Sequence, residues 1–136
     1  MKKVFVIYWS GTGNTEIMAK AVAEGVGDGA VLKSVDSASV EDVASCDALA
    51  LGCPSMGDEV LEEEVMEPFV ESIKDVVKGK NVALFGSYGW GNGQWMRDWQ
   101  ERMEGYGANV DEPVIAMGAP NDYLEGQLRD LGAGLA

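Results

Sequence analysis

The chain has 136 residues, which suits one domain spanning 1–136, and 46% of them are apolar, as in an ordinary globular protein. It contains no histidine and only two cysteines, so Ser-His-Asp and Cys-His catalysis are excluded, and neither a disulfide framework nor a metal site is expected. Ten Lys and Arg against 23 Asp and Glu give a net charge of −13, which argues against nucleic acid or an anionic membrane as a partner and favours basic partner proteins.

The beginning of the chain predicts a strand rather than an export signal. Two lysines, Lys2 and Lys3, precede a short apolar run, and that run ends within about six residues in the polar loop 10–15. A signal peptide needs a longer apolar region followed by a small-residue cleavage site. We therefore expect a cytoplasmic protein in which Cys46 and Cys53 are reduced thiols.

Strand and helix patterns alternate along the whole chain. Five apolar runs, largely free of charge, predict β-strands over Lys3–Tyr8, Ala30–Val35, Ala48–Leu51, Asn81–Phe85 and Asn109–Ala116. Amphipathic spacing predicts helices over Thr15–Val26, from Glu41 onward as a short helix, and over Pro68–Val77, Gln94–Tyr106 and Tyr123–Ala133. This alternation predicts an α/β domain in which a doubly wound parallel sheet has helices on both faces.

In such a sheet, ligands bind beyond the carboxyl ends of the strands. The loop after the first strand is Ser10-Gly11-Thr12-Gly13-Asn14-Thr15, which leads into the first helix. Its glycines allow a tight turn of converging N–H groups, and the helix dipole adds partial positive charge. Since no Lys follows, the loop is not a nucleotide-hydrolysing P-loop. It is either an anchor for a phosphate that is not cleaved or an ordinary capped turn.

A second glycine-rich loop follows the fourth strand, over residues 86–93. It contains Ser87, Tyr88, Gly89, Trp90 and Gly91. An indole between two glycines on a flexible turn is a flat surface on which a ring could stack, although it could also fold back on the core. Two further tryptophans, Trp95 and Trp99, have the i, i+4 spacing of a buried helix face, so we expect them in the core.

A third loop follows the third strand and contains Pro54, Ser55, Met56, Gly57, Asp58 and Glu59. The Met56 thioether is polarizable and can lie against a ring, while Gly57 lets its peptide point two ways. The acids that continue beyond it, Glu62 to Glu64 and Glu67, could simply be the solvated start of a helix. Taken together, the three loops predict a planar aromatic ligand that ends in a phosphate, which flavin mononucleotide (FMN) fits.

Four stretches of this sequence resemble the short-chain bacterial flavodoxins of Clostridium-like anaerobes: YWSGTGNTE, LGCPSMGDEVLEEEVMEPF, KNVALFGSYGWGNGQWMRDW and ERMEGYGA. They occur at matching intervals, and the resemblance extends over essentially all 136 residues. It implies a three-layer domain with a five-stranded parallel sheet of order 2-1-3-4-5. It also implies a tightly bound FMN and one-electron transfer between redox proteins.

The resemblance also implies roles for individual residues. Ser10, Gly11, Thr12, Gly13, Asn14 and Thr15 would hold the FMN phosphate. Met56 and Trp90 would flank the isoalloxazine ring, and the Gly57–Asp58 peptide would accept a hydrogen bond from N5–H of the reduced flavin. Glu59 and the Gly89 main chain would address the pyrimidine edge, and Ser87 would lie near the ribityl chain. Tyr88, Gly91 and Gly118 complete the expected site; Pro54 stands where some relatives direct a serine to the phosphate, with Ser55 beside it.

The function expected from this resemblance is that of a low-potential electron carrier, acting as a monomer between basic-surfaced reductases and hydrogenase- or nitrogenase-type acceptors. One alternative is an FMN-dependent reductase of quinones or nitro compounds, which shares the fold but usually needs added loops or a second subunit to build a substrate pocket. Another is a cofactor-free signalling domain of similar topology, which would need a clustered acidic metal site where this chain has the loop 10–15.

Overall fold

The computed structural model of the chain describes residues 2–136. Its strands are β1 (Val4–Tyr8), β2 (Ala30–Ser34), β3 (Ala48–Gly52), β4 (Asn81–Tyr88), β5 (Asn109–Val110) and β6 (Val114–Met117). Its α-helices are α1 (Asn14–Val26), α2 (Val40–Ser45), α3 (Met66–Ser72), α4 (Gln94–Gly105) and α5 (Asp122–Ala133), with a single 3₁₀ turn at Val35–Ser37. Within the described residues, no helix combines the length and the hydropathy needed to cross a membrane.

The sheet is parallel and has the strand order β2-β1-β3-β4-β5, with β6 also paired to β4. The predicted doubly wound α/β fold of order 2-1-3-4-5 is confirmed. Strands β1 and β3 lie in the middle of the sheet and are almost wholly buried, as their uninterrupted apolar sequences predict. All the carboxyl ends of the strands therefore meet at one edge of the sheet, where the three glycine-rich loops begin.

The fifth predicted strand, Asn109–Ala116, is divided into β5 and β6. Asn109 pairs with Asn81, and Val114 pairs with Phe85, so the fifth strand contains one more residue than β4 over this interval. The extra length falls at 111–113, where two acids precede Pro113. Proline has no N–H to donate to a sheet, so the ladder is interrupted there and resumes at Val114.

The helices cover both faces of the sheet. Helices α1 and α5 bury Met18, Val22 and Leu128 against one face, and α2, α3 and α4 bury a larger cluster against the other. Trp95 and Trp99 are each 1% exposed in that second cluster, which confirms their predicted place in the core. Helix α3 ends at Ser72, five residues before the predicted end, and the chain continues to Val76 as turns.

The contact between α1 and α5 is unusually close. A Cβ atom at Gly25 would collide with the carbonyl group of Arg129, and one at Gly132 would collide with the carbonyl group of Val22. Each helix thus presents a glycine to the main chain of the other, so the two backbones pack directly against each other. Any larger residue at either position would force the helices apart.

Candidate functional site

A cleft of about 300 Å³ opens at the carboxyl edge of the sheet, between the loops that follow β1, β3 and β4. It is lined by residues that carry no formal charge: Trp9, Gly11, Thr12, Asn14, Pro54, Ser55, Met56, Ser87, Tyr88, Gly89 and Gly118. Ten of these eleven residues belong to the predicted site. The fold thus brings the three loops together around one cavity, with a further contribution from the residue after β6.

The loop 10–15 is held open by its own serine. The Ser10 hydroxyl accepts hydrogen bonds from the N–H groups of Gly13 at 3.1 Å and Glu16 at 3.3 Å. Among the hydrogen bonds within residues 2–136, none uses the N–H groups of Gly11, Thr12, Asn14 or Thr15 as donors. Four free donors therefore surround the N-terminus of α1, where the helix dipole favours an anion. This donor set suits a phosphate dianion without any cation.

The predicted phosphate residues divide into two groups in this loop. Gly11, Thr12 and Asn14 line the cleft. Ser10, Gly13 and Thr15 belong to the same turn but are not among the lining residues, and Thr15 is 1% exposed. Ser10 therefore shapes the loop through its accepting oxygen, while its hydroxyl proton remains available for a ligand. The assignment of these residues to a phosphate stays a prediction.

The segment after β3 extends the strand before it turns. The N–H groups of Cys53 and Ser55 donate to the carbonyl oxygens of Phe85 and Ser87 at 3.1 and 3.0 Å. Met56 and Val60 then exchange two main-chain hydrogen bonds, each 2.9 Å long, and so close the 56–60 turn. Gly57 has φ +48° at the exposed tip of this turn, and Glu59 has φ +58°. The structure therefore places Met56 at the cleft and the Gly57–Asp58 peptide in the exposed turn that follows it, outside the lining.

Glu59 has a place that the sequence did not predict. Its Oε1 accepts hydrogen bonds from the N–H groups of Gly93 at 3.1 Å and Gln94 at 2.9 Å, at the start of α4. Gly93 cannot cap the helix with a side chain, so Glu59 supplies the cap from a distant loop. Its carboxylate lies outside the cleft lining. The predicted contact of Glu59 with a ring edge stays a prediction.

The end of β4 is tied to the residue after β6. Strand β4 runs to Tyr88, three residues beyond its predicted end at Phe85, so Ser87 and Tyr88 belong to the strand rather than to the loop. The Ser87 hydroxyl donates to the carbonyl oxygen of Gly118 at 2.6 Å, and the Gly118 N–H donates to the carbonyl oxygen of Tyr88 at 2.9 Å. These bonds fix the floor of the cleft. Trp90 and Gly91 lie beyond it, and Trp90 is 58% exposed. Trp90 has thus not folded into the core; its stacking on a ring opposite Met56 stays a prediction.

Two residues near the site were missed from the sequence. Trp9 lines the cleft, and its ring is so close to Gly11 that a Cβ there would lie 3.0 Å from the indole. The signal for Trp9 was its position directly after β1, in the same stretch as the glycine loop. Glu62 is the second, and it gave no such signal, because it was one acid in a run of acids.

Glu62 is 6% exposed, so the interpretation of the acid run as a solvated helix start is wrong for this residue, although Glu63 and Glu64 are exposed. Its carboxylate accepts three main-chain hydrogen bonds of 2.8 Å, from the N–H groups of Glu64, Val65 and Met66. Burial raises the pKa of this carboxyl, but the three hydrogen bonds outweigh burial and leave the pKa below its usual value. Glu62 thus anchors the start of α3 as an anion.

Both cysteines are buried free thiols. Burial raises the pKa of the Cys53 thiol to about 12, and the Glu62 N–H points at its sulfur at 3.4 Å. Burial also raises the pKa of Cys46. A thiol held in its neutral form is a poor nucleophile, so neither cysteine offers covalent chemistry at the cleft.

The donor set and the shape of the cleft fit FMN. Uncharged N–H groups surround the start of α1, where the phosphate is predicted, and the rest of the cleft lining carries polar and apolar groups side by side. One hydroxyl in that wall, Ser55 Oγ, is buried without a hydrogen-bond partner among the described residues. A buried polar group without a partner points to a missing ligand.

Comparisons with known proteins agree with this geometry. Residues 6–132 match the family described as Flavodoxin. The chain is 50% identical over 121 residues to a flavodoxin of Clostridium beijerinckii, an alignment that covers 86% of this chain and 88% of that one. It is 46% identical over 136 residues to a flavodoxin of Megasphaera elsdenii, covering 98% of each. The solution structure of two-electron-reduced Megasphaera elsdenii flavodoxin superposes with a TM-score of 0.87 over 97% of both chains, at 45% identity.

The same fold appears in more distant relatives. A flavodoxin from the domain Archaea is 27% identical, with a TM-score of 0.87 over 98% of this chain and 96% of that one. The family match covers most of the chain, and two relatives of near-equal length share close to half of its residues. The chain therefore belongs to the flavodoxin family, whose members carry electrons on bound FMN.

Proposed function

We propose that this protein is a low-potential one-electron carrier that passes electrons between redox proteins and transforms no substrate of its own. In this proposal residues 1–136 form one FMN-binding domain that acts as a monomer in the cytoplasm. The single observation that carries it is the uncharged, donor-rich cleft set in a strongly acidic chain. Bound FMN supplies the group that accepts and releases the electrons.

The chain's own residues have two tasks in this proposal. The first is to hold the cofactor at its phosphate, through the free N–H groups of Gly11, Thr12, Asn14 and Thr15. Hydrogen bonds to a charged group contribute about 1.5–3 kcal/mol each, so four of them can retain a dianion without a Lys or Arg. The second task is to orient the remainder of the cofactor between Met56 and the end of β4, where Tyr88 and Gly89 line the cleft.

The acids near the cleft would set the potential. Six of them follow Met56 in the sequence, from Asp58 to Glu67, and the whole chain carries a net charge of −13. One negative charge at about 10 Å disfavours another by roughly 0.4–1.7 kcal/mol at effective dielectric constants of 80 to 20. Several such charges make the last electron hard to add. The reduced protein is then a strong donor, and its acidic surface attracts basic partners.

Anaerobic spectroelectrochemistry of the purified holoprotein tests the proposal. We expect two resolved one-electron steps, with the second at a lower potential than that of free FMN. Loss of that resolution, or a second potential at or above that of free FMN, would contradict the low-potential carrier. If the purified chain neither contains FMN nor binds it when it is added, the proposal fails altogether.

A second measurement separates a carrier from an enzyme. We expect NADH or NADPH alone to leave the bound flavin oxidised, and a separate flavoprotein reductase to be needed for its reduction. Rapid oxidation of the nicotinamide by this chain alone, accelerated by a quinone or nitro compound, would favour the FMN-dependent reductase instead.

A further inference from the structure

Ser55 differs from the other serines at the cleft. Ser10 uses its hydroxyl oxygen to accept two main-chain N–H groups, and Ser87 donates its hydroxyl to the Gly118 carbonyl oxygen. The Ser55 hydroxyl is buried and has no partner among residues 2–136. The only other buried side-chain atom of this kind in that range is Trp99 Nε1, which belongs to the core beneath α4 and does not line the cleft.

The main chain holds Ser55 in place. Its N–H donates to the Ser87 carbonyl oxygen at 3.0 Å, which continues the pairing of β3 with β4 beyond the end of β3. The next residue, Met56, is fixed by its two hydrogen bonds to Val60. The residue before it is Pro54, whose ring restricts the backbone. Only rotation about χ1 is left to the Ser55 side chain, and the residue lines the cleft.

A buried hydroxyl without a partner is unfavourable relative to a satisfied one. Natural proteins rarely carry such a group unless a ligand or water completes it. The phosphate position already has four free N–H groups around the start of α1. Ser55 lines the same cleft but stands outside that loop, directly before the 56–60 turn. The part of FMN that joins its phosphate to its ring is the ribityl chain, a polyol.

We propose that Ser55 forms a hydrogen bond to a hydroxyl of the FMN ribityl chain, and that it selects for a polyol linker in this cleft. The inference rests on the proposed function, because it requires FMN in the cleft. Ser55 donates and accepts through one rotatable hydroxyl, as a polyol partner does. The Ser55 hydroxyl therefore contacts the linker rather than the phosphate. Pro54, the residue before it, has no side-chain hydroxyl with which to reach the phosphate.

The test compares the natural chain with Ser55→Ala, with FMN removed and three ligands added back in turn: FMN, riboflavin and lumiflavin. Riboflavin keeps the ribityl chain without the phosphate, and lumiflavin lacks both. Quenching of flavin fluorescence gives each dissociation constant. We expect Ser55→Ala to weaken FMN and riboflavin by the same factor, about three- to tenfold for one neutral hydrogen bond, and to leave lumiflavin unchanged. The matched control is Ser45→Ala, at the end of α2 on the opposite edge of the sheet.

Stability of the ligand-free protein gives a second readout of opposite sign. Removing an unpartnered buried hydroxyl relieves its desolvation cost, so we expect the urea midpoint of Ser55→Ala to be equal to or higher than that of the natural chain without flavin. A lower midpoint would show that Ser55 already has a partner within the chain, and would overturn the inference.

The other outcomes are equally distinct. If only FMN is weakened, Ser55 contacts the phosphate; if lumiflavin is weakened as well, it contacts the ring; if nothing changes, it contacts no part of the ligand. Each of these results overturns the ribityl assignment while leaving the carrier intact. If the natural chain itself binds no FMN, the proposed function fails and this inference fails with it.

Discussion

The carboxylate of Glu59 accepts a hydrogen bond of 2.9 Å from the main-chain N–H of Gln94, 35 residues further along the chain. The same oxygen accepts from Gly93, so one acid joins the 56–60 turn to the start of α4. Because α4 has no cap of its own, the helix depends on this turn. The 56–60 turn also borders the cleft through Met56. A change at Glu59 therefore affects both the helix and the cleft wall.

Replacing Glu59 by alanine should therefore weaken the start of α4. We expect Glu59→Ala to lower the free energy of unfolding of the ligand-free protein by about 0.5–2 kcal/mol, the usual cost of losing a helix cap. Urea unfolding followed by circular dichroism measures it. Glu63→Ala is the control, because Glu63 is exposed and this substitution removes the same charge without removing a helix cap. An equal loss in both variants would show that charge rather than capping is responsible.

The buried carboxylate of Glu62 predicts a pH dependence of stability. The pKa of Glu62 is lower in the folded protein than its ordinary value of 4.5. The ionised carboxylate therefore stabilises the fold fully at pH values above 4.5, and this stabilisation is lost as the pH falls through the folded pKa. We expect Glu62→Gln to cost about 1–3 kcal/mol at pH 7, because the amide cannot accept all three N–H groups. The difference from the natural chain should shrink as the pH falls below 4.5.

Unfolding free energies measured across this pH range check that expectation. Glu63→Gln serves as the matched control and should follow the natural chain at every pH. A Glu62→Gln deficit that stayed constant down to low pH would show that the ionised carboxylate is not the stabilising form.

Gly57 predicts an effect on redox potential. Its φ of +48° is strained for any residue with a Cβ, although a Cβ there would meet nothing within 4 Å. Gly57→Ala should narrow the orientations open to the 57–58 peptide and so weaken its expected hydrogen bond to N5–H. A strain of about 1 kcal/mol corresponds to about 45 mV, and we expect the first one-electron potential to fall by tens of millivolts.

Gly27→Ala is the matched control for this measurement. Gly27 has φ +87°, also with nothing within 4 Å of its Cβ position, but it caps the far end of α1. We expect both variants to lose some stability and only Gly57→Ala to change the potential. Potentiometric titration giving equal shifts, or none, in the two proteins would refute the role of the 57–58 peptide.

The acidic surface predicts a dependence on salt. Raising the ionic strength from about 0.01 to 0.15 M shortens the Debye length from about 30 to 8 Å, so distant carboxylates are screened. We expect the second potential to rise and association with a basic redox protein to slow by about tenfold or more. Stopped-flow kinetics with an uncharged acceptor is the control. If neither the second potential nor the association rate responds to salt, the negative charge of the carboxylates does not determine them.

Much of the architecture could be predicted because the strands are apolar runs separated by helical periods. The order of elements, the buried Trp95 and Trp99, and the meeting of the three loops all follow from local pattern and from the geometry of parallel sheets. The split of the fifth strand also had a local signal in Pro113, although the one-residue shift in pairing depends on the neighbouring strand.

The rest depends on contacts between residues far apart in sequence. Nothing local distinguishes Glu62 from Glu63, yet one is buried on three N–H groups and the other is in water. The same holds for Glu59, whose partner begins a helix 35 residues later. A run of like charges therefore conceals which of its members are structural.

The glycine contacts between α1 and α5 bear on how the cofactor site is prepared. Gly25 lies near the end of α1, at the opposite end from the loop 10–15, and direct backbone packing through Gly25 and Gly132 leaves little room for the helix to slide or rotate. The N–H groups of Asn14 and Thr15, at the other end of α1, are thus held in place before any ligand arrives. If the predicted phosphate enters here, little conformational entropy remains to be lost, and the affinity of this end of the cleft then depends on how rigidly two helices are joined well over ten ångströms away.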